Sequence, residues 1–374
     1  MTYLEKVKTA RYLASVFLAY DKGGNIPDRP QDISWSFIFG MAKRHTLTVL
    51  FFEILKERIK AEAPENLYLD WSRECAIAGA KFISQKNAVR EISKAFSENG
   101  IQHLFLKGFH IKKLYKSPEM REMTDIDVFV GREGINAASE ILLSMGYALD
   151  LSLEVHDSFK KPPFLEIELH KILHLEACDY SMEETLPTAE NPMERLMTDE
   201  DFVIFLLLHA KKHDEAGGAG MRSIFDFYLL FKDERYNNAR VKERIEKEGL
   251  SEFYEKLLSL IDIWFYGGEE SSALLEFEIY TVTGGTFGTL ENKFMRQGQR
   301  KTKIGIIFSR IFPPYSAMAR KHPTLKKCPL LLPYFYVYRF ASSIFSGSMR
   351  RNVKALRGAE KNKKKIDGLM SDGD

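Results

Sequence analysis

Leu104-Phe-Leu-Lys-Gly108, Thr124-Asp-Ile-Asp-Val-Phe-Val130 and Phe164-Leu-Glu-Ile-Glu-Leu-His170 are the stretches whose reading decides the fold. The first is a short apolar strand that ends in a glycine turn and opens a helix, Phe109–Lys116. In the second, alternate side chains of a strand leave the same face, so Asp125 and Asp127 project together. Two adjacent carboxylates repel each other, and burying them calls for a compensating positive charge, usually a hard divalent cation. Ile126, Val128, Phe129 and Val130 mark that strand as packed into a core. The third stretch alternates strictly, with Leu165, Ile167 and Leu169 on one face and Glu166, Glu168 and His170 on the other. Glu168 is the candidate third carboxylate, and Glu166, which points the same way, is its alternative.

Outward from this centre the period becomes helical. Leu47, Leu50, Phe51, Ile54 and Leu55 recur at helical spacing, and the run from Asn87 continues it to a stop at Asn99-Gly100. A helix over Ile135–Met145 stops at Gly146. Beyond about residue 193 the helical period returns, broken at Gly217-Gly218, at Thr283-Gly-Gly-Thr-Phe-Gly288 and at Pro313-Pro314. No internal repeat is visible. The expected architecture is α+β: an N-terminal helical region (1–99), an α/β core with a short mixed sheet (100–190), a C-terminal helical region (191–349) and a basic tail (350–374).

The chain has 374 residues, 45% apolar and 28% charged, with a net charge of +2. That excludes disorder for the body of the chain and a nucleic-acid binder with a basic face throughout. Eight Lys and Arg face four acids in the tail, read as a solvated, frayed helix end. Cys75, Cys178 and Cys328 lie far apart, against a disulfide scaffold or a cysteine-built zinc site. The N-terminus carries acids and bases throughout, unlike a secretory signal. No uncharged apolar run reaches the ~18 residues of a membrane span. A cytoplasmic protein is expected.

Lys107-Gly108, at a helix start, can hold phosphate oxygens. Arg121, four residues before Asp125, is a guanidinium fork suited either to a triphosphate or to a carboxylate. His170 can orient Glu168 or a nucleotide, or be a satisfied buried histidine. A glycine turn, paired aspartates and a third acid on a neighbouring strand are the parts needed for two-metal nucleotidyl transfer.

The run from Leu106 through Val130, followed by Ile167-Glu-Leu-His-Lys171, resembles a largely uncharacterised bacterial nucleotidyltransferase family of the DNA polymerase beta superfamily. The matching positions are Lys107, Gly108, Arg121, Asp125, Asp127, Glu168 and His170, and the resemblance extends over most of residues 100–340. It implies a polymerase-beta-like core in which Asp125, Asp127 and Glu168 hold metal while Lys107, Gly108, Arg121 and His170 meet the nucleotide. The superfamily's turn is usually Gly-Gly or Gly-Ser; here Lys107 replaces the first glycine. The resemblance also places His209, Arg222 and Asp226 in a helical part that closes over the cleft, as possible substrate contacts. Arg222 and Asp226 are spaced for an i, i+4 ion pair.

His209 and His213 share a helix face, but Ala210 stands where a zincin needs glutamate, so a zinc peptidase is excluded. The glycine-rich Thr283–Gly288 lacks the Lys-Ser/Thr of a P-loop and reads as a turn. The aromatic run Cys328–Arg339 is expected to pack into the core with Arg339 reaching out, interfacial membrane contact being the alternative. The reading is a nucleotidyltransferase that uses a nucleoside triphosphate with Mg²⁺ or Mn²⁺, its acceptor a small molecule, a protein or RNA. The alternatives are an inactive nucleotide- or partner-binding protein of the same fold, and a metal-dependent hydrolase centred on His209 and His213.

Overall fold

The computed structural model describes residues 2–173, 180–286, 288–300, 312–322 and 324–345, with 354–359, 361–364 and 368 in the tail. Cys178, Phe287 of the glycine-rich turn, and the tail bases Arg350, Arg351 and Lys365 lie outside the described residues.

Four helices come first: α1 (Tyr3–Lys22), α2 (Trp35–Arg44), α3 (Thr48–Glu62) and α4 (Glu65–Glu98). α1 opens on a capping box, Thr2 and Glu5 each accepting the other's backbone N–H, and closes on left-handed Gly23. α4 stops at Asn99-Gly100, as its sequence predicts.

The sheet has five strands: β1 (Leu104–Phe105), β2 (Ile126–Phe129), β3 (Ala148–Ser152), β4 (His156–Lys161) and β5 (Leu165–His170), in the order β1-β2-β5-β4-β3. β2 and β5 run parallel, with Asp127 beside Glu168, and the other pairings are antiparallel. Alternation decides what each face carries. Ile126, Val128, Ile167 and Leu169 point into a core with Ile92 and Phe96 of α4 and Ala138 and Leu142 of α6 (Gly131–Ser144). Asp127, Glu168 and His170 fall on the opposite face, which is where the candidate site lies.

The helical remainder comprises α7 (Asp199–Ala216), α8 (Gly220–Lys232), α9 (Ala239–Lys247), α10 (Ser251–Tyr266), α11 (Ser272–Gly284) and α12 (Leu290–Arg300), then helices over Tyr315–Lys321, Thr324–Lys327 and Leu332–Phe345. The N-terminal helices share one core with these. The Phe225 ring of α8 meets Phe17 of α1 at 5.0 Å, Phe51 of α3 at 5.7 Å and Phe265 of α10 at 5.7 Å. The turn at Thr283–Gly288 links α11 to α12 and abuts the α7–α8 turn. A Cβ on Gly217 would lie 2.6 Å from the Thr289 carbonyl oxygen, so the approach requires glycine. Among the described residues no helix is long and apolar enough to cross a membrane.

The structure departs from the sequence reading at four points in the fold. The helix expected over Phe109–Lys116 is one α-helical turn, α5 (Gly108–Ile111), followed by a 3₁₀ turn at Lys112–Leu114. β3 and β4 have no clean alternation to announce them. β3 is exposed along its whole length, and β4 reads His156-Asp-Ser-Phe-Lys-Lys161 with one buried apolar side chain, Phe159. The tail is docked rather than frayed over 354–359, where a helix buries Ala355 and Ala359 in the main core. The run Cys328–Arg339 is not core. Only Leu332, Phe335 and Tyr336 pack inward, while Leu330, Tyr334, Val337 and Tyr338 are exposed.

Candidate active site

The turn between β1 and α5 brings the first charge to the site. Phe109 N–H donates to the Leu106 carbonyl, closing a β-turn with Lys107 and Gly108 at its centre. Lys107 has φ 42° and ψ −107°, near the first central position of a type II′ turn, which favours glycine. This is the physical reason for the glycine usual there, and it means Lys107 is held in a strained conformation of order 1–3 kcal/mol. Its Nζ donates to Asp127 Oδ1 at 3.0 Å. Gly108 is needed for space, since a Cβ there would lie 2.6 Å from Arg121 Nη1.

The segment that delivers Asp125 and Asp127 is tied down residue by residue. Arg121 Nε and Nη2 each lie 2.8 Å from the Asp226 carboxylate of α8, a buried two-pronged pair that the Tyr115 hydroxyl joins at 2.8 Å. The Glu122 carboxylate accepts the Thr48 and Val49 N–H groups that open α3. Gln85 and Lys81 of α4 donate to the Met123 and Thr124 carbonyls. Asp125 thus lies just ahead of β2 on a fixed backbone, and Asp127 within it.

Asp127 is the electrostatic centre. Its Oδ1 takes Lys107 Nζ and also His170 Nε2 at 2.9 Å. Burial alone would raise this carboxyl, but Lys107 and His170 together hold it well below the usual carboxylate range. Its neighbours go the other way. Burial and then Asp127 push Asp125 up, and burial, Asp127 and Asp125 push Glu168 up to about 7. Glu168 Oε2 lies 3.6 Å from His170 Nε2, and donor atoms of Asp127, Glu168 and His170 all fall within 4.8 Å of one another. Glu166 is not in that cluster. The parallel register puts Glu168 level with Asp127, and Glu166 two residues earlier. His156 of β4, which the sequence did not single out, pairs in register with His170 and brings Nε2 to 3.9 Å from Glu168. β4 lacks the alternation of apolar and polar residues from which it could be found.

Asp125 and Asp127 open onto a cleft whose other walls are α7 and α8. Lys107, Arg121, His209, His213, Arg222 and Asp226 line it, so the cleft unites residues of the sheet region with those of the helices that follow it. One expectation changes here. The i, i+4 pair of Arg222 with Asp226 does not form, because Asp226 is committed to Arg121. Arg222 Nη1 instead donates to the Glu122 carbonyl at 3.0 Å, and among the described residues it has no carboxylate ion-pair partner. Arg121, which also lines the cleft, is engaged by a carboxylate through Nε and Nη2, one of the two uses its sequence position allowed. His209 and His213 sit 3.0 Å apart, Nε2 to Nε2. Burial first and Lys107 second lower both, so they stay neutral. Among the described residues no third ligand converges on that histidine pair.

Asp125 and Asp127 thus face the cleft that Arg222 also lines, and Glu168 stands level with Asp127 on the neighbouring parallel strand. Residues 31–266 match the uncharacterised nucleotidyltransferase family, and the chain belongs to it. Its activity class is accordingly nucleotidyl transfer. Among curated proteins none matches this chain. Two solved structures are similar. One, the crystal structure of ANT(2″)-Ia in complex with adenylyl-2″-tobramycin, is 13% identical over 46% of this chain and 99% of its own, with a TM-score of 0.36. The other, the solution structure of the antibiotic-resistance factor ANT(2″)-Ia, is 14% identical over 46% and 98%, with a TM-score of 0.35.

Proposed function

We propose that this chain moves a nucleotidyl group from a nucleoside triphosphate to an acceptor hydroxyl, with Asp125, Asp127 and Glu168 as the carboxylates that would hold Mg²⁺ or Mn²⁺. The observation that carries this is the convergence of Asp127, Glu168 and His170 within 4.8 Å beside Asp125. The donor set fits: these are hard oxygen ligands, and the raised Asp125 and Glu168 carboxyls mark a site short of positive charge. A bound divalent cation supplies Lewis-acid polarisation of the reacting phosphoryl group and eases ionisation of the acceptor hydroxyl.

The chain's own residues do the rest. Lys107 and His170 keep Asp127 ionised. Glu168 would take the acceptor's proton as its oxygen attacks the α-phosphorus. The bond from the α-phosphorus to the bridging oxygen then breaks, and pyrophosphate leaves towards the only cleft guanidinium without a carboxylate partner among the described residues, Arg222. Arg121 acts through Asp226, fixing the segment that carries Asp125. In this reading residues 100–190 hold the carboxylates, α7 and α8 of the C-terminal helical region wall the cleft, and the reaction takes place in the cytoplasm.

Calorimetric titration of nucleoside triphosphate with Mg²⁺ tests the assignment. Losing a charge-assisted contact costs about 1.5–3 kcal/mol, so Arg222→Ala weakens triphosphate binding roughly 10- to 100-fold and leaves nucleoside binding unchanged. No triphosphate binding by the folded wild type with either metal would refute the reading.

A further inference from the structure

We infer that the C-terminal part of this chain docks on an anionic lipid surface through the exposed face of the helix Leu332–Phe345 and the turn before it. That helix has two apolar faces. Leu332, Phe335 and Tyr336 pack on Met318, Ala319 and Leu325, with His322 stacked on Phe335 at 4.3 Å. The other face carries Leu330 at 89% exposure, Tyr334 at 63%, Val337 at 69% and Tyr338 at 56%. The helical repeat sets Tyr334, Val337 and Tyr338 on one stripe, Leu330 lies in the 3₁₀ turn just before the helix, and there is no charged side chain among the four. Isolated exposed apolar residues are ordinary, but a contiguous stripe of aliphatic and tyrosine side chains is the mark of a binding surface.

Charge identifies the occupant. From Asn292 to Ala359 there is no Asp or Glu at all, against fifteen Lys and Arg, and Lys361, Lys363, Lys364 and Lys365 follow. Residues 1–291 hold 48 acids against 35 bases. The apolar stripe thus lies in a strongly cationic segment attached to an acidic body. An anionic surface attracts the segment and repels the body, which orients the molecule as it lands. An RNA would be drawn by the same bases, but a nearly fully exposed leucine and a valine gain nothing from a phosphate backbone, whereas both gain by entering an acyl layer. Tyrosines at the margin of such a stripe suit the headgroup level. At fourteen residues the helix is far too short to span a bilayer, so it lies in the interface.

The test uses the full chain and vesicles of phosphatidylcholine with or without phosphatidylglycerol, in a co-sedimentation assay. Binding is expected to the phosphatidylglycerol vesicles only, and to weaken with salt. Tyr338→Trp should show a blue-shifted emission on binding. Val337→Asp with Tyr338→Asp, both exposed positions, should abolish binding without changing the melting temperature. Replacing Lys361, Lys363 and Lys364 by Gln should weaken partitioning about fivefold per residue. The inference is overturned if the chain ignores phosphatidylglycerol vesicles at low salt. It is equally overturned if the Asp variants bind as well as wild type, or if they abolish only RNA binding or self-association. Nucleotide binding is independent of this outcome.

Discussion

The pair between Arg121 and Asp226 is the buried element on which the site's geometry most depends, and breaking it has a calculable effect. Both side chains are buried, the guanidinium grips the carboxylate with two 2.8 Å contacts, and the Tyr115 hydroxyl completes the shell. Asp226→Asn leaves a guanidinium buried without its counter-charge, a loss of about 3–5 kcal/mol. At ~2.1 cal/mol/K per residue, 374 residues unfolding together give ~0.8 kcal/mol/K, so the melting temperature falls by roughly 4–6 °C. Arg121→Met, which strands the carboxylate, costs a similar amount. The double variant Arg121→Met with Asp226→Leu removes both charges and should lie within about 1–2 kcal/mol of wild type, the residue being the orphaned Tyr115 hydroxyl. A double-mutant cycle by thermal and urea denaturation measures the coupling. Additive losses in the double variant, or a drop below one degree for Asp226→Asn, would refute the reasoning and return Arg121 to the role of phosphate ligand.

Two further outcomes follow from buried groups elsewhere. His45 is fully buried as the neutral imidazole, Nδ1 accepting the Met221 N–H and Nε2 donating to the Val282 carbonyl, and burial lowers it from 6.5 to about 3. Its contribution to stability is intact above pH ~6.5 and declines by up to about 1.4 kcal/mol per pH unit as pH falls towards 3. Urea melts at stepped pH should show His45→Ala losing that part of the acid slope. At position 107 the normal order of alanine and glycine should reverse. Both variants lose the bond to Asp127, but only Lys107→Gly relieves the φ 42° conformation, so it should be more stable than Lys107→Ala by about 1 kcal/mol or more in denaturant titrations.

The carboxylates were legible in the sequence because a strand has a period of two. Asp125-Ile-Asp and Glu166-Ile-Glu-Leu-His each announce one charged face and one apolar face, and the sheet places those faces side by side. What the charged groups pair with was not legible, because it depends on chain segments meeting from far apart. Arg121 finds its carboxylate on α8, 105 positions away, and once Asp226 is so committed Arg222 is left without a carboxylate ion-pair partner among the described residues. β3 escaped because an exposed edge strand needs no alternation, and β4, with its His156, because the side chains it buries include the polar Asp157 and Ser158. Cys328–Arg339 misled because aromatic composition alone does not say which side of a helix is covered.

The central claim is nucleotidyl transfer by the carboxylate cluster, and the position of the label in the triphosphate tests it most directly. The purified chain is incubated with Mg²⁺ or Mn²⁺, cell extract as acceptor source, and triphosphate labelled at either the α- or the γ-phosphorus. The account predicts that α-label becomes attached to an acceptor, that γ-label appears only in pyrophosphate, and that Asp127→Asn, still folded, does neither. Attachment of γ-label, or α-label transfer undiminished in Asp127→Asn, would contradict it.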